Sequence, residues 1–223
     1  MKVFSFGNLG ERTNKEQILA KVRKALMSKD EKMFSDVNMQ TETWTPFKEE
    51  DGVDFTFVER FKDNGGIFVY FESKDDFIEA MKQYIVENRW EPLCSTSARI
   101  EALFQGSGIE LCSDYGVNRK KTVSIVDCEC LIAQTGSVAV TDACAGSKEA
   151  YSNADTLLIF ATPNQIVASM KDAIKLLKEK YKKQRPAETV IISGPSKSTE
   201  IDNHLVIGAQ GIKQIALFLV EEE

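Results

Sequence analysis

Short apolar runs alternate with amphipathic helical segments along this chain, and this alternation limits the folds that it can adopt. Three runs rich in β-branched and aromatic residues, Ile67–Phe71, Thr156–Ala161 and Ile215–Val220, predict strands. Helical periodicity follows the first run after a cap at Ser73, and it follows the second over residues 164–180. Strands that alternate with helices predict an α/β fold built on a mostly parallel sheet flanked by helices.

The same patterns predict shorter elements between these runs. They comprise helices at Val53–Asp63 and Ala98–Phe104, and strands at Trp90–Cys94, Ile109–Cys112 and Val123–Val126. Two further apolar runs, Cys130–Ala133 and Ser137–Val140, flank the tripeptide Gln134-Thr135-Gly136. Because Gly136 can supply the positive φ of a tight turn, these runs predict an antiparallel hairpin added to the parallel sheet.

The stretch Thr189–Gly211 carries the pattern most suggestive of a site. A strand of buried type at Val190–Ile192 runs into Ser193-Gly194-Pro195-Ser196, where Gly and Pro break it. Thr199-x-x-Asp202 then fits a capping box, which predicts the start of a short helix. A small-residue loop at a helix N-terminus favours anions, and Lys197 adds a positive charge. A well-made turn without a ligand is the alternative interpretation.

Composition excludes several classes of protein. The chain has 223 residues, 43% of them hydrophobic and 28% charged, which is typical of a globular protein. Its net charge of −6, without a basic stripe, argues against a nucleic-acid partner. The apolar segment near the N-terminus is too short for a signal peptide, and no stretch is long enough to span a membrane. We therefore expect a cytoplasmic protein without a membrane partner.

Cysteine and histidine usage predicts neither a metal nor a cofactor. The five cysteines are dispersed without a Cys-x-x-Cys pair, and the single histidine, His204, falls on the predicted helix. Cys128-Glu129-Cys130 is interpreted as a reduced thiol pair, because one such pair is too few for a cluster.

Two separated motifs resemble the signatures of the LUD-domain family, of the lactate utilization protein C type. The first is the hairpin turn 133–137, and the second is Ser193–Lys197 with the apolar stretch and glycines that follow, up to Gly211. The resemblance spans roughly residues 50–223. Gln134 stands where the family usually has Glu, and Gln210 stands where His often precedes the final Gly.

The resemblance implies a fold related to ribose-phosphate isomerase and coenzyme A transferase. It also implies an accessory, non-redox subunit of L-lactate oxidation to pyruvate, which acts with iron–sulfur partner proteins and binds a small anionic metabolite. The alternative is an independent small-molecule enzyme or binding protein of the same fold. Its catalytic residue is not identified, and the acids nearest the two motifs are Glu129, Asp142, Glu200 and Asp202.

We predict two regions, an N-terminal helix and connector over 1–52 and a LUD-type domain over 53–223. The helix in the first region is expected at Thr13–Ser28. The two motifs are expected side by side in one ligand site, and the oligomeric state, a homo-oligomer included, stays open. The predicted ligand-binding residues are Gln134, Thr135, Gly136, Ser137, Ser193, Gly194, Ser196, Lys197, Thr199, Glu200 and Gln210.

Overall fold

A computed structural model describes residues 52–115, 122–201, 204–208 and 211–221. The predicted helix Thr13–Ser28 and its connector lie outside these residues, so the division at residue 52 stays a prediction. The described helices are α1 Val53–Asp63, α2 Lys74–Asn88, α3 Ala98–Phe104, α4 Asp142–Ala145, α5 Glu149–Ser152 and α6 Met170–Lys180. The described strands are β1 Ile67–Phe71, β2 Leu93–Cys94, β3 Leu111–Cys112, β4 Val123–Asp127, β5 Cys130–Ile132, β6 Ser137–Thr141, β7 Thr156–Ala161, β8 Ile166–Val167, β9 Thr189–Ile192, β10 Lys197–Ile201, β11 His204–Ile207 and β12 Gln214–Val220.

Six strands form a parallel sheet in the order β1-β12-β7-β4-β2-β3, which we call the main sheet. Strands β4 and β7 and all of β12 except its first residue, Gln214, are buried, so their sequences are nearly continuous apolar runs. The predicted parallel sheet of an α/β fold is therefore confirmed.

A second sheet has the order β8-β5-β6-β9 and contains the predicted hairpin. Strands β5 and β6 pair antiparallel around the turn at residues 133–136, and β9 pairs antiparallel with β6. Strand β9 lies at the edge of this sheet, and only Ile192 of its four residues is buried. The strand predicted at Val190–Ile192 is therefore present, but the prediction that it is buried is wrong except at Ile192.

The main sheet separates two apolar layers, because alternate residues of each strand point to opposite faces. On one face, Ile125 and Phe218 pack in a cluster with Phe77 and Met81 of α2. On the other face, residues such as Val126 and Leu217 belong to a cluster that includes side chains of α1 and of the second sheet. The core therefore lies on both sides of the main sheet.

Local sequence explains where two of the helices begin or end. Ser73 accepts a hydrogen bond from the backbone N–H of Asp76, as the predicted cap at the start of α2 requires. At the end of α1, Gly65 adopts a φ of 94° and Gly66 N–H donates to the Phe61 carbonyl. This left-handed turn ends α1 and directs the chain into β1.

Two predicted helices differ in the structure. The segment after Ser198 is not a helix, because β10 and β11 pair antiparallel, with Lys197 opposite Ile207 and Ile201 opposite His204. The helix expected from Asn164 begins only at Met170, where Ser169 and Asp172 form a capping box. Residues 163–167 instead form a 3₁₀ turn and strand β8, because Ile166 and Val167 pair with β5.

Candidate functional site

The loops that carry the two motifs are in contact, although the two residues that make their closest contact lie 56 positions apart in the sequence. The Ser137 and Ser193 hydroxyl oxygens lie 2.6 Å apart, because β6 and β9 are neighbours and place these residues together. We call residues 134–137 and 193–197, with Arg60 and Asn64 of the α1 end, the motif-loop junction. The expectation that the two motifs lie side by side is met in this geometry.

The end of α1 holds the hairpin turn through its backbone carbonyl groups. Asn64 Nδ2 donates to the carbonyl oxygens of Thr135 at 2.8 Å and Gly136 at 3.1 Å, and Arg60 Nη1 donates to the Gln134 carbonyl. The turn is therefore fixed by two side chains that the motifs themselves do not include.

Two predicted glycines lie against α1 more closely than any side chain allows. A Cβ atom at Gly136 would lie 2.4 Å from the Arg60 carbonyl carbon, and one at Gly194 would lie 2.3 Å from the Asn64 carbonyl oxygen. Both glycines also have positive φ, 57° and 81°. Steric contact and backbone conformation thus both require glycine at these positions.

The motif-loop junction lies at the amino ends of the main-sheet strands. Asn64 precedes β1, and Ser196 N–H donates to the carbonyl of Ile212, which precedes β12, at 2.8 Å. Ligands of open parallel sheets usually bind beyond the carboxyl ends instead. The junction is therefore an unusual place for a ligand, and its charge and polar atoms decide what it can bind.

The junction combines positive charge with an unused hydroxyl group. Lys197 Nζ donates to the Asn64 carbonyl at 3.2 Å, and Arg60 lies on the neighbouring turn of α1. The Thr135 Oγ1 atom is buried and has no hydrogen-bond partner among the described residues. Two cations and a hydroxyl donor can together bind an anion.

Three predicted site residues are not placed by these contacts. Thr199 and Glu200 belong to β10, whose side chains at these positions lie outside the described part of the chain, and so does Gln210. Gln134 has a structural contact, because its Oε1 accepts from the backbone N–H of Met170 at 3.2 Å. The side chain that departs from the family pattern thus receives the first N–H of α6.

A second polar cluster lies at the carboxyl end of β4, and the sequence analysis did not identify it. Asp127 Oδ1 lies 3.0 Å from Arg99 Nη1 of α3, and it accepts from the Cys128 backbone N–H at 2.8 Å. The same Arg99 nitrogen lies 3.5 Å from Oε1 of Gln165, whose Nε2 donates to the Cys128 carbonyl at 2.5 Å. Carboxylate, guanidinium and amide therefore form one network at this edge.

Burial raises the pKa of Asp127 above its ordinary value, although Arg99, the Cys128 N–H and Gln165 all oppose the rise. A buried carboxyl with a raised pKa beside a cation is the kind of group that can accept or donate a proton. One sequence signal could have identified Asp127, since it directly follows the predicted strand Val123–Val126 and so lies at the carboxyl edge of the sheet.

Two of the four acids that the sequence analysis named, Glu129 and Asp142, have structural contacts, and the side chains of the other two, Glu200 and Asp202, lie outside the described part of the chain. Thr141 and Tyr181 hydroxyls donate to Glu129 Oε1 at 2.6 and 2.5 Å, and Lys180 Nζ lies 2.7 Å from its Oε2. Asp142 accepts hydrogen bonds from the backbone N–H groups of Ala187 and Glu188. The fully buried Glu129 carboxylate is thus saturated with donors and is poorly suited to bind a ligand.

Within the described ranges, no three Cys, His, Asp or Glu side chains lie close enough to hold a metal ion. The five cysteines are free thiols, and burial raises the pKa of Cys130 to about 12. Among the residues that the structure describes, no helix is both long and apolar enough to cross a bilayer.

Comparison with known proteins gives two results. A family model described as the LUD domain matches residues 118–220. The crystal structure of a DUF162 family protein from Deinococcus radiodurans matches with a TM-score of 0.58 at 14% identity, covering 78% of this chain and 99% of that one. At that identity the similarity establishes a shared fold. No curated protein matches the sequence.

Proposed function

We propose that this chain, whose residues 118–220 match the LUD-domain family model, is a non-redox accessory protein of L-lactate utilization. The family is associated with lactate utilization in general. The finer proposal is that the chain acts with iron–sulfur partner proteins and binds a small anionic metabolite at the motif-loop junction. The cysteines of this chain are dispersed, and its sequence has no dinucleotide-binding motif. In this proposal the partner proteins therefore carry out the electron transfer.

The observation that carries the anion site is the 2.6 Å contact between Ser137 and Ser193. This contact places Lys197 beside the hairpin turn, where Asn64 bonds both loops through its side chain and its carbonyl. A carbonyl oxygen carries only a partial negative charge, so this hydrogen bond does not neutralise Lys197. An anion that displaces it would gain a charge-assisted hydrogen bond.

Calorimetric titration with L-lactate, pyruvate and inorganic phosphate tests this site. Lys197→Met should weaken binding by roughly tenfold to a hundredfold, since a hydrogen bond to a charged group contributes about 1.5–3 kcal/mol. Lys171→Met is the matched control, because Lys171 is an exposed lysine of α6 outside the junction. Equal affinities in wild type and Lys197→Met would remove the junction as the site.

The accessory role predicts partner dependence. A tagged copy purified without oxygen from its own cells should retain iron- and sulfide-containing proteins, and L-lactate-dependent dye reduction should need both components. Lactate turnover by the chain alone would instead favour the alternative of an independent enzyme. Retention of no such partner would contradict the accessory role.

A further inference from the structure

Two cysteine side chains lie next to each other where the main sheet ends at β3. Cys94 is the last residue of β2, and Cys112 is the last residue of the edge strand β3. The two strands are parallel, and Cys94 lies directly opposite Cys112 in the register. Residues opposite each other in adjacent strands share one face of the sheet, and the strands lie about 4.8 Å apart. We call these two residues the edge dithiol.

Packing confirms that the two side chains share a face. Cys94 belongs to the apolar cluster that includes side chains of α1 and of the second sheet, and Cys112 packs against the same cluster. The residues that precede them, Leu93 and Leu111, pack in the cluster on the opposite face. Both thiols donate to the carbonyl oxygen of Asp114, Cys94 Sγ at 3.7 Å and Cys112 Sγ at 3.4 Å. The two sulfur atoms therefore converge on one oxygen atom.

This arrangement meets the geometric requirement for a disulfide. A disulfide needs two Cα atoms about 4.4–6.8 Å apart, with side chains directed toward each other. Paired positions in adjacent strands satisfy the distance, and the shared carbonyl contact brings the sulfur atoms together. Cys128 and Cys130, which are closest in the sequence, belong to two different apolar clusters. Proximity in the chain therefore does not identify the pair that the fold creates.

The two thiols also differ in their access to solvent. Cys112 is partly exposed, whereas Cys94 is fully buried. An oxidant from solvent therefore reaches Cys112 first, and the thiol of Cys94 lies beside the oxidised sulfur. Redox-sensing cysteines commonly combine an accessible thiol with a neighbouring thiol that resolves its oxidised form.

We propose that the edge dithiol is a redox modification site, which a hydroperoxide converts reversibly into an intramolecular disulfide. The Cys112 thiolate attacks one peroxide oxygen, the O–O bond breaks, and the leaving oxygen takes the proton that the thiol had released. Cys112 is then a sulfenic acid. The Cys94 sulfur attacks it, the S–O bond breaks, and the departing hydroxide leaves as water with the Cys94 thiol proton. In total the two thiols lose two electrons, and the peroxide gains them.

The disulfide would constrain the edge of the main sheet. Strands β2 and β3 contain only two residues each, so few backbone hydrogen bonds join them. The bridge would close the loop of residues 94–112, which contains α3 and its Arg99. Closing this loop lowers the entropy of the unfolded chain, so the oxidised protein should resist urea better than the reduced protein. The modification is independent of the proposed role in lactate utilization, in which partner proteins carry the electrons.

Peptide mapping of the wild-type full chain tests the proposal without any variant. The reduced, folded protein is treated with hydrogen peroxide, blocked with maleimide and digested without reductant. Mass spectrometry should find a peptide in which Cys94 is linked to Cys112, and maleimide labelling of Cys112 should be lost. Dithiothreitol should restore the labelling. The urea midpoint should be higher for the oxidised protein and should return to the reduced value after dithiothreitol.

Two variants test the order of the steps. In Cys94→Ser, Cys112 should accumulate as a sulfenic acid that dimedone traps, whereas wild type should show little of this adduct. Cys144→Ser is the matched control, because Cys144 is also partly exposed but lies outside the edge dithiol, and this variant should form the bridge as wild type does. The proposal is overturned if peroxide gives no Cys94–Cys112 link in the folded protein. It is also overturned if the link forms only in urea, or if the disulfide joins other cysteines such as Cys128 and Cys144.

Discussion

Lys180 Nζ lies 2.7 Å from Oε2 of Glu129, and the two side chains differ sharply in exposure, since Glu129 is fully buried and Lys180 is about half exposed. Because Thr141 and Tyr181 also donate to this carboxylate, three donors converge on a single buried charge. The group joins the start of the second sheet to the end of α6.

Glu129→Gln should destabilise the fold by about 1–3 kcal/mol. The substitution keeps the size of the side chain but removes the charge from three hydrogen bonds, and charged hydrogen bonds contribute about twice as much as neutral ones. Glu79→Gln is the matched control, because its pair with Lys82 is exposed and should contribute less than about 1 kcal/mol. Urea denaturation of both variants gives the comparison, and equal losses would contradict the interpretation.

Acid should remove the Glu129 contribution. Burial alone would raise the pKa of Glu129, but Lys180, Thr141 and Tyr181 outweigh it and leave the pKa below its ordinary value. As pH falls, the Glu129 carboxylate is therefore protonated in the unfolded chain at a higher pH than in the folded protein. The stability difference between wild type and Glu129→Gln should be constant above the unfolded pKa of about 4.3. This difference should decrease as pH falls through the pKa of Glu129 in the folded protein. If the difference instead increased on acidification, the pKa of Glu129 would not be lowered by folding.

Gly194→Ala should cost more than Gly106→Ala. Both glycines have positive φ, 81° and 77°, so alanine at either position meets a backbone penalty of about 1–2 kcal/mol. A Cβ at Gly106 meets nothing within 4 Å, whereas one at Gly194 lies 2.3 Å from the Asn64 carbonyl oxygen. The clash should add roughly 1–3 kcal/mol. Thermal melts measure the difference, and similar melting temperatures would show that the loop moves away without cost.

The cysteines should differ in reactivity toward maleimide. Cys112 is partly exposed, whereas Cys128 is buried and its pKa is raised well above the ordinary value by burial and by Asp127. Burial also raises the pKa of Cys144 to about 11. Since the thiolate is the reacting species, Cys112 should be labelled first at pH 7.5, and Cys128 only after unfolding. Peptide mass spectrometry reads out the order, and equal labelling of Cys112 and Cys128 would refute it.

The parallel strands and the hairpin could be predicted because their signals are local and strong. Thr156–Ala161 is apolar throughout, as a strand buried on both faces must be, and Gly136 marks the hairpin turn. The segment after Ser198 was predicted wrongly, because Thr199-x-x-Asp202 matches a helix cap. The β-branched Val206 and Ile207 and the turn-type dipeptide Asp202-Asn203 favour the observed hairpin.

The polar contacts of the candidate sites could be predicted only in part. The motifs indicated that Ser137 and Ser193 belong to one region, and these residues do meet. The sequence did not indicate that Asn64, 71 residues before Thr135, would bond to that turn. Likewise, no spacing connects Arg99 with Asp127, because their contact depends on how α3 packs against β4.

Strand β4 ends at Asp127 and β5 begins at Cys130, so two residues carry the chain from the main sheet to the second sheet. This connection is too short to let the sheets move apart. Asp127, at the end of β4, is paired with Arg99 of α3, and Glu129, on the connection, is paired with Lys180 of α6. Displacement of either sheet would break one of these pairs, each of which has a buried carboxylate. The two sheets therefore form a single cooperative unit, and amide protons of β4 and β5 should exchange with solvent through the same global opening.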